Sequence, residues 1–266
     1  MRTQNTAPLH RWKSSAPNQI LTLLLLLVCF SFTACVAGGE EEKDDGRPEE
    51  RFEFRSYTDV DPLLERFNYT PESWQAGVRE VPRIYLTEIP PRWRDSVSDE
   101  VSVQAKKRIF FRTLAPLVLR ANELILADRK RLTELAKTAA DGRTLEQEGR
   151  AWLGDLATRY RVIDDPQALP ESDALSGIIK ELLPRVDSLP LSLVLAQGAE
   201  ESGWGTSRFA AQGNALFGQW TWSGEGITPE DQREELGDYR IAAFETPLKS
   251  IMSYLLNLNS HRAYSD

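Results

Sequence analysis

The chain has 266 residues, 41% of them hydrophobic and 27% charged, with seven tryptophans and a net charge of −8. That length suits one good-sized domain, or one domain with a smaller appendage. The acidic balance argues against nucleic acid as a partner, because phosphate binding needs clustered lysine and arginine; it leaves neutral sugars open, which are held by aromatic faces and hydrogen bonds.

The N-terminus reads as an export signal. Arg2, Arg11 and Lys13 form a cationic lead into "ILTLLLLLVCFSF", Ile20 to Phe32, an apolar run too short for a comfortable membrane span. It runs into "FTAC", which resembles the lipobox of bacterial lipoproteins and implies lipidation of Cys35. A plain cleaved signal or an uncleaved anchor are the alternatives. Residues 1–35 are thus a signal peptide with a lipobox-like end, and the expected location is the periplasmic side of the cell envelope, on a lipid anchor. Cys29 and Cys35 are the only cysteines, so the mature protein has no disulfide to form. "GGEEEKDDGRPEE" has no apolar residue to bury, and residues 36–52 read as a flexible acidic tether.

Residues 53–180 form a mostly helical region. Its first part is broken by prolines 62, 71, 82, 90 and 91, and "VPRIYLTEIPPRW" suggests a short extended segment ending at Pro90-Pro91. From Val101 to Ala139, apolar Phe110, Leu114, Leu117, Ala121, Leu124 and Leu135 recur at helical spacing. Pro116 falls inside that run, so a kink or two helices are expected rather than one rod. "DGRT" is a turn before a helix carrying Trp152, Leu156 and Tyr160. Two more helices follow, the first capped by Ser172 and the second with Pro190 in its first turn. Residues 181–266 then combine the second of these with a small β hairpin or lobe from "NALFGQWTW" and "YRIAAF", and a last helix opening at Thr246-Pro247.

The chemistry concentrates in "LAQGAEESGWGTSRFA", Leu195 to Ala210. On a helical wheel Leu191, Val194, Leu195, Gly198 and Ala199 define the buried side. Glu201 falls at its edge beside Val194, and Glu200 falls roughly opposite. Partial desolvation and the negative end of the helix both favour a protonated Glu201. A carboxyl kept protonated near neutral pH is what a glycosidase uses to protonate a leaving oxygen. Trp204 is positioned to supply an apolar wall and a surface for a sugar ring; a charged helix end beside a core tryptophan is the plain structural alternative.

"AQGAEESGWGTSRFA" followed by "GNALFGQW" resembles the bacterial peptidoglycan N-acetylglucosaminidases, the family of autolysins and the flagellar muramidase-like domain. "KKRIFFRTLAPLVLRANELILADRKRL", "RVDSLPLSLVLAQ" and "TPLKSIMSYLLNLNSHRAY" extend the resemblance to its Bax-like subgroup, over roughly residue 80 to the C-terminus. The resemblance implies a mainly α, α+β, lysozyme-like helical domain with a small β-hairpin lobe. It implies Glu201 as general acid, Asn214, Leu216, Phe217 and Gly218 along the cleft, and Tyr254 as an aromatic near the acid. With Trp204, the expected substrate-binding residues are therefore Asn214, Phe217, Gly218 and Tyr254. A turn role for Asn214 and core packing for Phe217 and Tyr254 are the structural alternatives.

The family's second carboxylate lies in the lobe, where Glu225, Glu230, Asp231, Glu234 and Glu235 all qualify. Glu235 is favoured because it shares a face with Arg233 on extended chain and precedes the Gly237 turn. Thr221 and Ser223 to Gly226 stand where Bax-like relatives often carry cysteines. No cofactor or metal is implied, since His10 and His261 are the only histidines. The expected partner is the peptidoglycan glycan strand, acted on by a monomer. A lytic transglycosylase on the same fold and a non-catalytic glycan-binding or scaffolding lipoprotein are the competing functions.

Overall fold

The computed structural model describes residues 49–171, 173–232 and 237–261. The signal peptide, Cys35, most of the tether, the Ser172 cap, Glu234 and Glu235 lie outside the described residues. The first element is a strand, β1 (Glu50–Phe52), paired in parallel with β2 (Ile84–Leu86). The expected tether therefore gives up its last three residues. Phe52 is buried in the core and the backbone around it bonds to the segment that sequence had marked as extended. Between the two strands lie α1 (Val60–Arg66) and α2 (Pro71–Gln75), the latter capped by the Thr70 hydroxyl with proline in its first turn. Helix α3 (Pro91–Glu100) follows β2.

The spine is α4 (Val103–Ala140), a single helix of 38 residues and so about 57 Å long. The expected division at Pro116 does not occur. Proline removes one backbone donor, but Leu114, Ala115, Pro116, Leu117 and Val118 are all buried, and the helices packed around them hold the turn in place. An ionic cluster ties the strands to this spine. Arg83 donates to both carboxylate oxygens of Glu123, at 2.8 and 2.6 Å. Arg120, only 3% exposed, lies 3.3 Å from Glu123 and 3.8 Å from Glu49.

Helices α5 (Gln147–Arg159) and α6 (Asp173–Arg185) pack beside the spine, and α7 (Leu191–Glu201) starts after a proline cap at Pro190. Asn122 of α4 pins the loop before α7. It donates to the Leu189 carbonyl at 2.9 Å and accepts from the Leu189 N–H at 3.1 Å. After α8 (Arg208–Gly213) come β3 (Trp220–Thr221), β4 (Gly226–Ile227) and β5 (Arg240–Ala242), a small antiparallel sheet in the order β3-β5-β4. The expected hairpin is thus three strands, with Trp220 opposite Ile241 and Gly226 opposite Ala242. Helix α9 (Pro247–Ser260) closes the chain; Thr246 caps it by accepting from the Lys249 N–H at 3.2 Å.

The architecture is mainly α with a small β lobe, an α+β arrangement consistent with a lysozyme-like fold. One hydrophobic core runs from Phe52 to Leu255, so the regions 53–180 and 181–266 share it rather than each having its own.

Candidate active site

The Glu-Ser-Gly-Trp-Gly break folds as it does because helix α7 runs into three consecutive left-handed residues. Gly203, Trp204 and Gly205 have φ of +57°, +64° and +79°. Glycine adopts this conformation freely, whereas a tryptophan there is strained and must be held. The Trp204 N–H donates to the Ala199 carbonyl at 2.8 Å, and its own carbonyl accepts from the buried Trp93 indole N–H at 2.9 Å. A Cβ on Gly205 would stand 3.1 Å from that indole nitrogen, so only glycine lets Trp93 approach. Ser202, fully buried, donates its hydroxyl to the Gly198 carbonyl and accepts from the Gly205 N–H at 2.8 Å. The turn therefore ends α7 at Glu201 and holds that residue at its mouth.

Glu201 is less enclosed than the wheel suggested: it is exposed along its outer side. Even so, burial by the protein on the inner side raises its pKa above the ordinary carboxylate value, and the negative charge of Glu200 raises it further. Glu200 is exposed, as expected. Facing Glu201 is Gly218, at φ +55°; a methyl group there would sit 3.7 Å from Glu201 Oε2. The structure thus brings together the acid and one of the sequence-predicted cleft residues.

The others take different places. Phe217 and Tyr254 are buried, with rings stacked 4.0 Å apart and 5° from parallel. Phe217 lies on Gly198, where a Cβ would be 3.4 Å from the ring, one turn before Glu201. The expected sugar contact from these two rings is corrected to a supporting pair beneath the acid, because nearly all of their surface is inside the core. Trp204 packs its ring edge-on to Phe110 and Phe111, with the Lys107 ammonium 4.8 Å from the ring centroid. Its contacts bind the turn to α4. Asn214 caps α8 at φ +51°. Its Oδ1 accepts from the Ile89 N–H at 2.9 Å, and its Nδ2 donates to the carbonyls of Phe244 and Glu245, both at 3.1 Å. Such a side chain staples three segments rather than lining a cleft. Among the lobe acids, Glu225, Glu230 and Asp231 are exposed, and Glu230 pairs with Arg208 at 3.4 Å. Glu235 lies outside the described residues.

Sequence reasoning missed Trp93, Ser202 and Gln219. Trp93 acts through a contact 111 positions away that no local pattern displays, whereas Ser202 bonds locally, to Gly198 and Gly205. Gln219, next to Gly218, donates to Ser253 Oγ at 3.2 Å, while its buried Oε1 has no partner among the described residues. A buried acceptor left unsatisfied costs about 1–3 kcal/mol, and such groups gather where function requires them. Among the described residues, no cluster of three or more His, Cys, Asp or Glu could hold a metal ion, and no helix is long and apolar enough to cross a membrane.

Residues 177–266 match the Glucosaminidase family, described as mannosyl-glycoprotein endo-beta-N-acetylglucosaminidase. The chain is also 33% identical over 162 residues to Protein bax of Escherichia coli (strain K12), a match covering 60% of this chain and 53% of that protein. It therefore spans about half the length of that relative. No solved structure matches. A helix ended by a strained glycine-tryptophan turn, an exposed acid of raised pKa at its mouth and a glycine facing that acid therefore lie in a C-terminal region that is similar to the Glucosaminidase family, within a chain that is similar to Protein bax over part of its length.

Proposed function

We propose that this protein is a peptidoglycan hydrolase that cuts the β-1,4 bond after N-acetylglucosamine, with Glu201 as general acid. The observation that carries the reading is the Glu201 carboxyl itself, raised in pKa by burial and by Glu200 and facing the open side of Gly218. A protonated carboxyl there donates its proton to the glycosidic oxygen as the bond to the anomeric carbon breaks. The cation-like sugar is met by water or by the substrate's own acetamido oxygen. Water completes the hydrolysis, and the proton it loses goes to Glu201 where the acetamido oxygen is the nucleophile, or to the lobe carboxylate that activates the water, with Glu201 then reprotonated from solvent. Glu235 is the favoured lobe carboxylate for activating that water, since the segment that carries it leads directly into the central strand β5.

The test is digestion of purified sacculi followed by muropeptide analysis. Glu201→Gln is expected to abolish cleavage, and Glu200→Gln to keep most of it. Reducing N-acetylglucosamine ends support the hydrolase. Anhydro-muramyl ends would make the protein a transglycosylase, and no cleavage by the wild type would make it a binding or scaffolding protein. Full activity in both variants would overturn the assignment of the acid. Alanine at Glu225, Glu230, Asp231, Glu234 and Glu235 in turn tests the second carboxylate. A loss confined to Glu235 is expected, and activity in all five would assign the nucleophile to the acetamido group. The same reading puts the activity in the envelope on a lipid anchor at Cys35, supported by the apolar run and the lipobox-like FTAC of the sequence.

A further inference from the structure

The lobe carries an aromatic cluster that the mechanism at Glu201 does not use. Trp220 stacks on Tyr239 with ring centroids 4.4 Å apart and 28° from parallel. Trp222 meets Trp220 edge-on at 6.1 Å and 65°. Tyr239 is buried beneath this stack, Trp220 is half-buried, and Trp222 is 40% exposed. That exposure leaves a large face of the Trp222 indole accessible on a lobe whose strands are only two or three residues long.

The backbone that presents Trp222 is locked. Thr221, almost wholly buried, accepts from the Ser223 N–H at 3.2 Å through its hydroxyl and donates that hydroxyl to the Ser223 carbonyl. Both bonds close across Trp222, and the left-handed Gly224 at φ +82° turns the chain immediately afterwards. A side chain with two rotatable bonds on a clamped loop loses little freedom when a ligand stacks on it. The cluster also continues from the acid. Gly218 faces Glu201, and four residues of chain from Gly218 to Trp222 span at most about 14 Å.

We propose that Trp222, backed by Trp220 and Tyr239, is a sugar-binding subsite for β-1,4-linked N-acetylhexosamine units lying along the strand from the bond at Glu201. Neutral pyranose rings present flat C–H faces that stack on indole without needing a cation, which suits a chain with a net charge of −8. The subsite belongs to the glycan-cutting reading of Glu201 and rests on it. It gives that reading a preference for long strands, because a short oligomer at Glu201 would leave Trp222 untouched.

The probe is a hexamer of β-1,4-linked N-acetylglucosamine, titrated calorimetrically into the chain carrying Glu201→Gln, with the dimer in parallel. Trp222→Ala in that background is expected to weaken hexamer binding about tenfold, equivalent to about 1.4 kcal/mol, and to leave dimer binding unchanged. Trp222→Phe, which keeps a ring, should restore most of the loss, and melting curves of all three proteins should coincide. If Trp222→Ala unfolds early, the Trp222→Phe result decides alone, with affinity between parent and no binding expected. Hexamer affinities within twofold across the set, or no hexamer binding by the parent, would overturn the subsite. With Glu201 intact, Trp222→Ala should raise KM on sacculi while kcat holds. Unchanged KM in an enzyme that still cleaves would sink the subsite and leave the hydrolase standing. Trp222-dependent hexamer binding by a wild-type chain that cleaves nothing would keep the subsite and end the hydrolase reading.

Discussion

Replacing Asn214 distinguishes a residue that builds the site from one that touches substrate. Its side chain makes three hydrogen bonds of 2.9 to 3.1 Å to backbone groups of Ile89, Phe244 and Glu245, and its backbone is left-handed at φ +51°. Each bond contributes about 1 kcal/mol net, and alanine in that conformation costs about 1 kcal/mol more than asparagine. Asn214→Ala should therefore lower stability by about 3–4 kcal/mol, a large part of the roughly 5–15 kcal/mol that folded proteins possess. Asn214→Gly keeps the backbone at ease and should recover about 1 kcal/mol of this. Asn214→Asp keeps the acceptor for Ile89 but turns a carboxylate toward two carbonyl oxygens. It should be worse than alanine at pH 7 and should improve as pH falls and the new carboxyl gains a proton to donate. Urea denaturation followed by circular dichroism gives all three midpoints. If Asn214→Ala unfolds within about 0.5 kcal/mol of wild type while turnover collapses, the staple is refuted and Asn214 contacts substrate.

At Gly198, alanine would place its Cβ 3.4 to 3.6 Å from Phe217 and Leu114, ordinary contact, so Gly198→Ala should be neutral or more stable by up to about 1 kcal/mol from helix propensity. Gly198→Leu should push Phe217 off Tyr254, destabilise the protein by about 1–3 kcal/mol and reduce cleavage by shifting the base of the acid; thermal melts and sacculus turnover check both. Because the charge of Glu200 helps to raise the Glu201 pKa, Glu200→Gln should move the alkaline limb of the kcat profile to lower pH, and added salt should shrink the difference. The same raised pKa means that the folded state holds the Glu201 proton more tightly than the unfolded chain. Stability contributed by that proton is present below the unfolded carboxyl pKa and lost as pH rises through the folded one, and Glu201→Gln should remove that loss. Its size stays well under 1 kcal/mol because the group is exposed. Cys35→Ser should release the protein from the membrane fraction or stall its processing; unchanged fractionation with no acyl label would leave a plain signal peptide.

Elements with local causes were readable from the sequence. The Thr246-Pro247 start of the last helix follows from a hydroxyl cap and a proline that needs no donor in the first turn. The break after Glu201 follows from glycines that tolerate left-handed turns, whereas the 100° step per residue overstated the difference between Glu200 and Glu201, since both are exposed. Tertiary structure decided the rest. Pro116 stays within one helix because buried neighbours outweigh its missing donor. Trp93 reaches Trp204 across 111 positions and Ile89 reaches Asn214 across 125. Capping, propensity and periodicity act over about four residues, so the composition of either partner shows nothing of such contacts. The degree to which Glu201 is desolvated, and the fact that Gly218 is what faces it, depend on how the lobe lies against the end of α7. That relation is set by packing between distant segments, and it converts an ordinary helix-terminal glutamate into a candidate acid.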